Sequence, residues 1–158
     1  PQSFYYFEAY KQAASSGLSL VFSVPSGNFG NLCAGLIAKR MGLPVARFIA
    51  ATNINKIVPD YLATGLYEPK PSLPTISNAM DVGAPSNFAR ILDIYKGDWH
   101  AIRADIFGFY LDDAQTRDAT AICATRMVPL GINRCKDCAT VRWAFFWRPR
   151  IRPSSWKP

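Results

Sequence analysis

Residues 18–52 read LSLVFSV, PSGNFGN, LCAGLIAKRMGLP and VARFIAAT in succession, and this order constrains the fold more than any other feature. The first run is almost continuously apolar, with β-branched and aromatic members, as in a parallel strand covered on both faces. In the third, Leu32, Cys33, Leu36, Ile37 and Met41 recur at helical spacing. Lys39 and Arg40 fall in the last turn of that helix, where they complement its dipole, and Gly42 with Pro44 ends it. The fourth run reads as a second strand. Strand, tight turn, helix and strand form a βαβ unit, whose crossover in a parallel sheet is right-handed. The fold class is α/β.

Around this unit the chain offers further elements. SFYYFEAYKQAA suits a helix from residue 3 to 14, with an aromatic stripe (Phe4, Phe7, Tyr10, and Tyr6 adjacent) facing a core; Ser15, Ser16 and Gly17 stop it. A short helix is expected near residues 55–64. It is followed by the Pro-rich connection EPKPSLP and by a helix near residues 86–95. Another helix begins near Asp112 and Asp113, whose carboxylates suit an N-terminus better than they suit acid catalysis. There is no internal repeat.

The 158 residues suffice for one domain with a core, and 49% apolar content excludes wholesale disorder. No stretch approaches the apolar length of a membrane span. The opening PQSFYYFEAY has no initiator Met, basic region or apolar leader, so the chain is expected to be a piece of a longer protein. Four cysteines do not make a disulfide framework, and a reducing cytoplasm is the expected compartment. The net charge of +7 is confined to one end. Residues 1–120 hold ten basic and ten acidic side chains, whereas residues 121–158 hold eight basic ones against Asp137 alone. The expected division is therefore a region 1–120 and a basic tail 121–158.

The PSGNFGN turn carries the chemistry. In a parallel sheet, ligands gather beyond the carboxyl ends of strands, and a helix beginning there presents unpaired N–H groups with its positive dipole end behind them. Gly27 and Gly30 let main chain approach an anion, Asn28 and Asn31 can cap or donate, and Ser26 can add a hydroxyl. No Lys or Arg lies in the turn, so the chemistry offered is amide cradling of a phosphate. The turn is neither GxGxxG nor a P-loop, which argues against a nucleotide. By their chemistry alone, these residues support a plain chain reversal as well as a phosphate site.

SVPSGNFGNLCAGLIAKRMGLPVARFIAATN resembles the phosphate-loop segment of the threonine synthases, pyridoxal-phosphate enzymes of fold type II. TGLYEPKPSLPTISNAMDVGAPSNFARIL resembles a downstream stretch of the same family, and the opening helix is similar as well; the likeness covers roughly residues 1–118. It implies a parallel-sheet three-layer αβα arrangement. It also implies that Gly27, Asn28, Phe29, Gly30 and Asn31 hold the phosphate of pyridoxal 5'-phosphate, mainly through backbone N–H groups. Ser26 is a weaker candidate, and the Phe29 side chain is as well suited to packing. The 77–81 segment marks the family without an evident chemical role. Lys56 departs from the family, which usually places Asp there, and reads as a solvated helix-start residue.

The implied reaction converts O-phosphohomoserine and water to threonine and phosphate, with no nucleic-acid or membrane partner and no metal. The family's Schiff-base lysine lies in a Phe-Lys-Asp-like context that none of Lys11, Lys39, Lys56, Lys70, Lys96, Lys136 or Lys157 shares, so this chain alone is expected to be inactive. Beyond residue 118 the likeness fades. Back-translating residues 139–148 and shifting the frame by two nucleotides permits an HGAVG-like family segment, so the tail is expected to be out of frame. The alternative is a basic, aromatic nucleic-acid-binding module built on RWAFFWRPRIRPSSWKP. Cys135 and Cys138 form a lone CxxC without the further ligands a zinc site needs, and His100 is read as an ordinary surface or core histidine.

Overall fold

The structure is a computed structural model that describes residues 2–14 and 19–127, with the side chains of 122–127 left aside. Six helices and three strands follow in order. They are α1 (Ser3–Ala13), β1 (Leu20–Pro25), α2 (Gly30–Arg40), β2 (Val45–Thr52), α3 (Ile57–Thr64), α4 (Phe88–Ile94), α5 (Trp99–Asp105), β3 (Ile106–Tyr110) and α6 (Asp113–Met127). The α/β class and the parallel sheet are as the sequence implied. The tail's CxxC and Trp/Arg-rich run lie outside the described residues, and the expected boundary at residue 120 falls within α6.

All three strands are parallel and lie in the order β1-β2-β3, with Phe22 beside Phe48 and Phe48 beside Ile106. Sheet order therefore equals chain order. When right-handed crossovers advance across a sheet in one direction, the connecting segments fall on one face. That face holds the core: Val24, Phe48, Ala50 and Ile106 are buried there beneath Leu32 and Leu36 of α2, Val58 and Leu62 of α3 and Ile102 of α5. Tyr6 of α1 joins them, edge-on to Phe22 at 5.0 Å and to Phe48 at 5.9 Å. Gly35 is where α2 meets this cluster; a Cβ there would stand 2.7 Å from both the Phe48 and Tyr6 rings.

Among the described residues no helix covers the opposite face. Val21, Phe107 and Phe109 point there with 42–43% of their surface exposed, although β1 had read as covered on both sides. A second helical layer needs a reversal of strand order, and none occurs among the described residues.

Several local readings shift as well. In α1 the buried ring is Tyr6, while Phe4 is exposed. In α2, Leu32, Cys33 and Leu36 are buried, but Ile37 and Met41 face outward. The α5–β3 pair was not expected. Its signals are present but short: Asp98 caps α5 through the Ala101 N–H at 3.0 Å, and IFGFY gives β3. Asp112 starts α6 as expected, in a reciprocal box with Gln115 at 2.7 and 3.0 Å. Lys56 stands at the start of α3, over the Tyr110 ring at 4.5 Å, and His100 is exposed against Trp99.

Candidate functional site

The turn between β1 and α2 lies at the carboxyl end of the sheet, where β1 ends at Pro25 and β2 at Thr52. Its entry is fixed by the Ser26 N–H, which donates to the Ala51 carbonyl at 2.9 Å and prolongs the β1–β2 pairing by one residue. Ser26 is buried, and its hydroxyl donates to Asn31 Oδ1 at 2.8 Å. Asn31 Nδ2 donates to the Pro25 carbonyl at 2.7 Å, while Oδ1 also accepts the Leu32 N–H at 2.9 Å. One amide side chain thus ties both ends of the turn together. From α1, Tyr6 donates its hydroxyl to the Asn31 carbonyl at 2.8 Å, and burial raises its pKa.

Phe29 is the residue before α2, and it adopts the left-handed conformation with φ 61° and ψ 12°. For a non-glycine residue this costs roughly 1–2 kcal/mol, so it persists only when the surroundings enforce it. Here the ring is buried edge-on to Phe88 at 6.1 Å, and core packing supplies the enforcement. A left-handed residue followed by a right-handed helix turns successive N–H groups toward one concavity, an arrangement that receives anions. Among the described residues the N–H groups of 27–31 have no hydrogen-bond acceptor. They stand at the start of an eleven-residue helix, whose dipole favours negative charge by about 0.3–1 kcal/mol.

Two glycines let neighbouring segments pack closely against the turn. A Cβ on Gly27 would lie 2.8 Å from the Ala79 carbonyl oxygen and 3.0 Å from the Met80 Cα. One on Gly30 would lie 3.2 Å from Asn87 Nδ2. Asn28 reaches the same segment from the other side, its Oδ1 accepting the Ser86 N–H at 2.6 Å and the Ser86 hydroxyl at 3.0 Å. The five residues singled out from the sequence are therefore brought together. The Phe29 and Asn31 side chains and the Asn28 oxygen are used within the protein, which leaves the main-chain amides as the turn's unpaired donors among the described residues.

A separate groove of about 480 Å³ runs along the flank of α2, lined in part by Gly30, Cys33, Ile37, Arg90 and Asp93. It shares Gly30 with the turn but lies beside the helix and not over its N-terminus, so the amide geometry defines the site better than cavity size does. Burial raises the Cys33 pKa against the opposing pull of Arg90, which keeps the group a neutral thiol at neutral pH. Lys39 lies at the far end of α2, paired with Asp105 at 2.8 Å.

Sequence reasoning missed the polar residues that support the turn, namely Asn53, Asn55, Thr75 and Asp81. Asn53 and Asn55 follow directly on β2, an edge signal that was available, but nothing in linear spacing joins them to a carboxylate 26 or 28 residues on.

No family model matches the chain. Among curated proteins, threonine synthase from Haemophilus influenzae is 48% identical over 115 residues, which are 72% of this chain and 27% of that protein. The Escherichia coli enzyme is 54% identical over 93 residues, 58% of this chain and 22% of the relative. Its crystal structure superimposes with a TM-score of 0.69 at 40% identity, covering 78% of this chain and 29% of that one. Over this stretch the chain is a homologue of the threonine synthases. It spans about a quarter of the length of the curated family members it matches. A threonine synthase from Brucella melitensis, solved with PLP bound, superimposes with a TM-score of 0.68 at 32% identity over 73% of this chain and 30% of that one. In this threonine synthase relative no helix of the described residues is long and apolar enough to cross a membrane.

Proposed function

We propose that the turn at residues 27–31 binds the phosphate of pyridoxal 5'-phosphate. The chain would supply this part of a threonine synthase, which converts O-phospho-L-homoserine and water to L-threonine and phosphate. One observation carries the reading: five successive amides without a protein acceptor stand at the head of α2, in a turn held open by a buried, left-handed Phe29. A phosphate is the group such a cradle suits, since each charge-assisted N–H bond contributes about 1.5–3 kcal/mol and no cation is needed. The bound cofactor supplies an electron sink for the substrate carbons. The residues of this chain grip the phosphate, fix its distance from the sheet through Ser26 and Asn31, and leave the turn no freedom to collapse onto α2.

The alternative of a basic nucleic-acid module rests on residues outside the described part, and the threonine synthase relatives lend it no support. For the same reason the proposed role of the chain is small-molecule chemistry in the cytoplasm. The test is a titration of the 158-residue chain with pyridoxal 5'-phosphate and with pyridoxal, followed by Trp fluorescence. The phosphorylated form is expected to bind at least ~10-fold tighter, and inorganic phosphate to compete with it. Equal affinity for the two aldehydes would refute the phosphate site. No threonine is expected from O-phosphohomoserine with this chain alone, since none of its lysines has the family's context.

A further inference from the structure

The segment at residues 72–83 crosses the carboxyl end of β2 with little regular structure, yet a single carboxylate gathers it. Asp81 Oδ2 accepts the Thr75 N–H at 2.9 Å, and Oδ1 accepts the Thr75 hydroxyl at 2.7 Å, closing the loop on itself. Oδ1 also accepts Asn53 Nδ2 at 2.7 Å and Asn55 Nδ2 at 3.3 Å, which fastens the loop to the sheet. Both asparagines are buried and satisfied on their other sides. Asn53 Oδ1 accepts the Asn55 N–H and Nδ2, each at 2.9 Å, and Asn55 pairs with both backbone groups of Leu73, at 2.7 and 2.9 Å. Gly83 closes the far end, its carbonyl accepting the Lys70 N–H at 3.0 Å and its N–H donating to the Ser72 hydroxyl at 2.9 Å.

The closed loop has one consequence for the anion turn. Its 3-10 turn, Asn78–Met80, is set so that the Ala79 carbonyl and the Met80 Cα form a wall behind Gly27, close enough to exclude any Cβ. Partial desolvation pushes the Asp81 carboxyl up, but the hydrogen bonds from Thr75 and Asn53 outweigh it and hold the group below the ordinary carboxylate range. It is therefore an ionised, acceptor-only hub at neutral pH.

We infer that Asp81, anchored on Asn53 and Asn55, is a positioning residue for the phosphate turn, holding the Asn78–Met80 wall against Gly27 so that the free amides of residues 27–31 stay aimed at one point. The inference rests on the phosphate reading above and adds to it a role for the 77–81 segment. Asp81 touches no ligand in this scheme. It acts through the backbone contact at Gly27. Asn substitution is close to isosteric but sets an NH2 against the Thr75 N–H or against the donors around Oδ1, so the loop opens whichever way the amide turns.

The decisive measurement is a double-mutant cycle on the 158-residue chain, with pyridoxal 5'-phosphate as probe. Asp81→Asn and Gly27→Ala are each expected to weaken binding about tenfold, because misdirected donors lose much of their contribution. The double variant is expected to lose little more than either alone, since both break the same contact. Asp105→Asn serves as the structural control: it removes partners of Lys39 and Tyr95 at the opposite end of the sheet, so it lowers stability and leaves affinity unchanged. Unchanged affinity in Asp81→Asn, or losses that multiply in the double variant, would overturn the inference. If Asp81→Asn does not fold, Thr75→Val replaces it in the cycle with the same two outcomes, as it removes one hydrogen bond to the carboxylate.

Should the wild-type chain take up neither the cofactor nor phosphate, the phosphate reading falls by itself. Amide exchange in the ligand-free chain then judges the lock. Exchange at Ser26 and Cys33, whose N–H groups bond to the carbonyls of Ala51 and Phe29, must rise several-fold in Asp81→Asn and stay level in Asp105→Asn. Equal exchange in the two variants would reject it.

Discussion

The two faces of the sheet are made from the same three strands and have opposite fates. On one, Phe22, Phe48 and Ile106 align across the strands under four helices, and Phe48 and Ile106 lose nearly all contact with solvent. On the other, Val21, Ile49, Phe107 and Phe109 share the face with Ser23 and Arg47, and no described helix covers it. Large apolar side chains therefore stand on both faces, and their presence alone does not mark the core. Crossover direction does, because a chain that advances β1-β2-β3 keeps its connections on one side. The turn between β1 and α2 belongs to the covered side: Phe29 and Tyr6, which shape it, are members of that core.

Substitutions on the two faces measure how far this contrast extends. Phe48→Ala is expected to cost the most, about 3–5 kcal/mol in urea unfolding, because it opens a cavity where three aromatic rings meet. A loss below about 1 kcal/mol would mean that the covered face is no better packed than the open one. Gly35→Val comes next, at about 1–3 kcal/mol, since its side chain drives into Phe48 and Tyr6 where α2 touches the sheet.

Tyr6→Phe is smaller, about 1 kcal/mol, from loss of the hydrogen bond to the Asn31 carbonyl. It also has a pH signature. The folded-state pKa of Tyr6 lies above its unfolded value, so wild-type stability from this group is complete below about pH 10 and is lost as pH rises further. In the variant that part of the alkaline loss should disappear. Identical alkaline unfolding curves would place the hydroxyl in water.

Phe107→Thr, on the open face, should have the smallest effect on stability, about 1 kcal/mol or less, and should reduce self-association measured by sedimentation. A cost comparable to that of Phe48→Ala would show that something covers this face in solution.

Much of the turn's setting was legible before the fold. Two apolar runs flanking PSGNFGN and a 3.6-residue pattern after it are enough for a βαβ unit with a helix starting at the turn, because periodicity and glycine placement are local properties. The amides could be located in this way, but not their freedom. That depends on Ser26 and Asn31 consuming their own side-chain capacity within the turn, and on Phe88, 59 residues on, pinning Phe29 in a conformation its residue type disfavours. The α5–β3 pair escaped because seven- and five-residue elements carry too few periods to stand out.

The sequence by itself determined the α/β class, the turn and its family likeness, since each rests on neighbouring residues and short-range pattern. The tertiary structure alone decided which face of the sheet became core, that the Phe29 ring packs inward, and that Asp81 closes a loop against Gly27. The contacts of Phe29 with Phe88 and of Gly27 with Ala79 join residues more than 50 positions apart, and the core face follows from the side to which the crossovers turn, so only the assembled sheet and helices fix these outcomes.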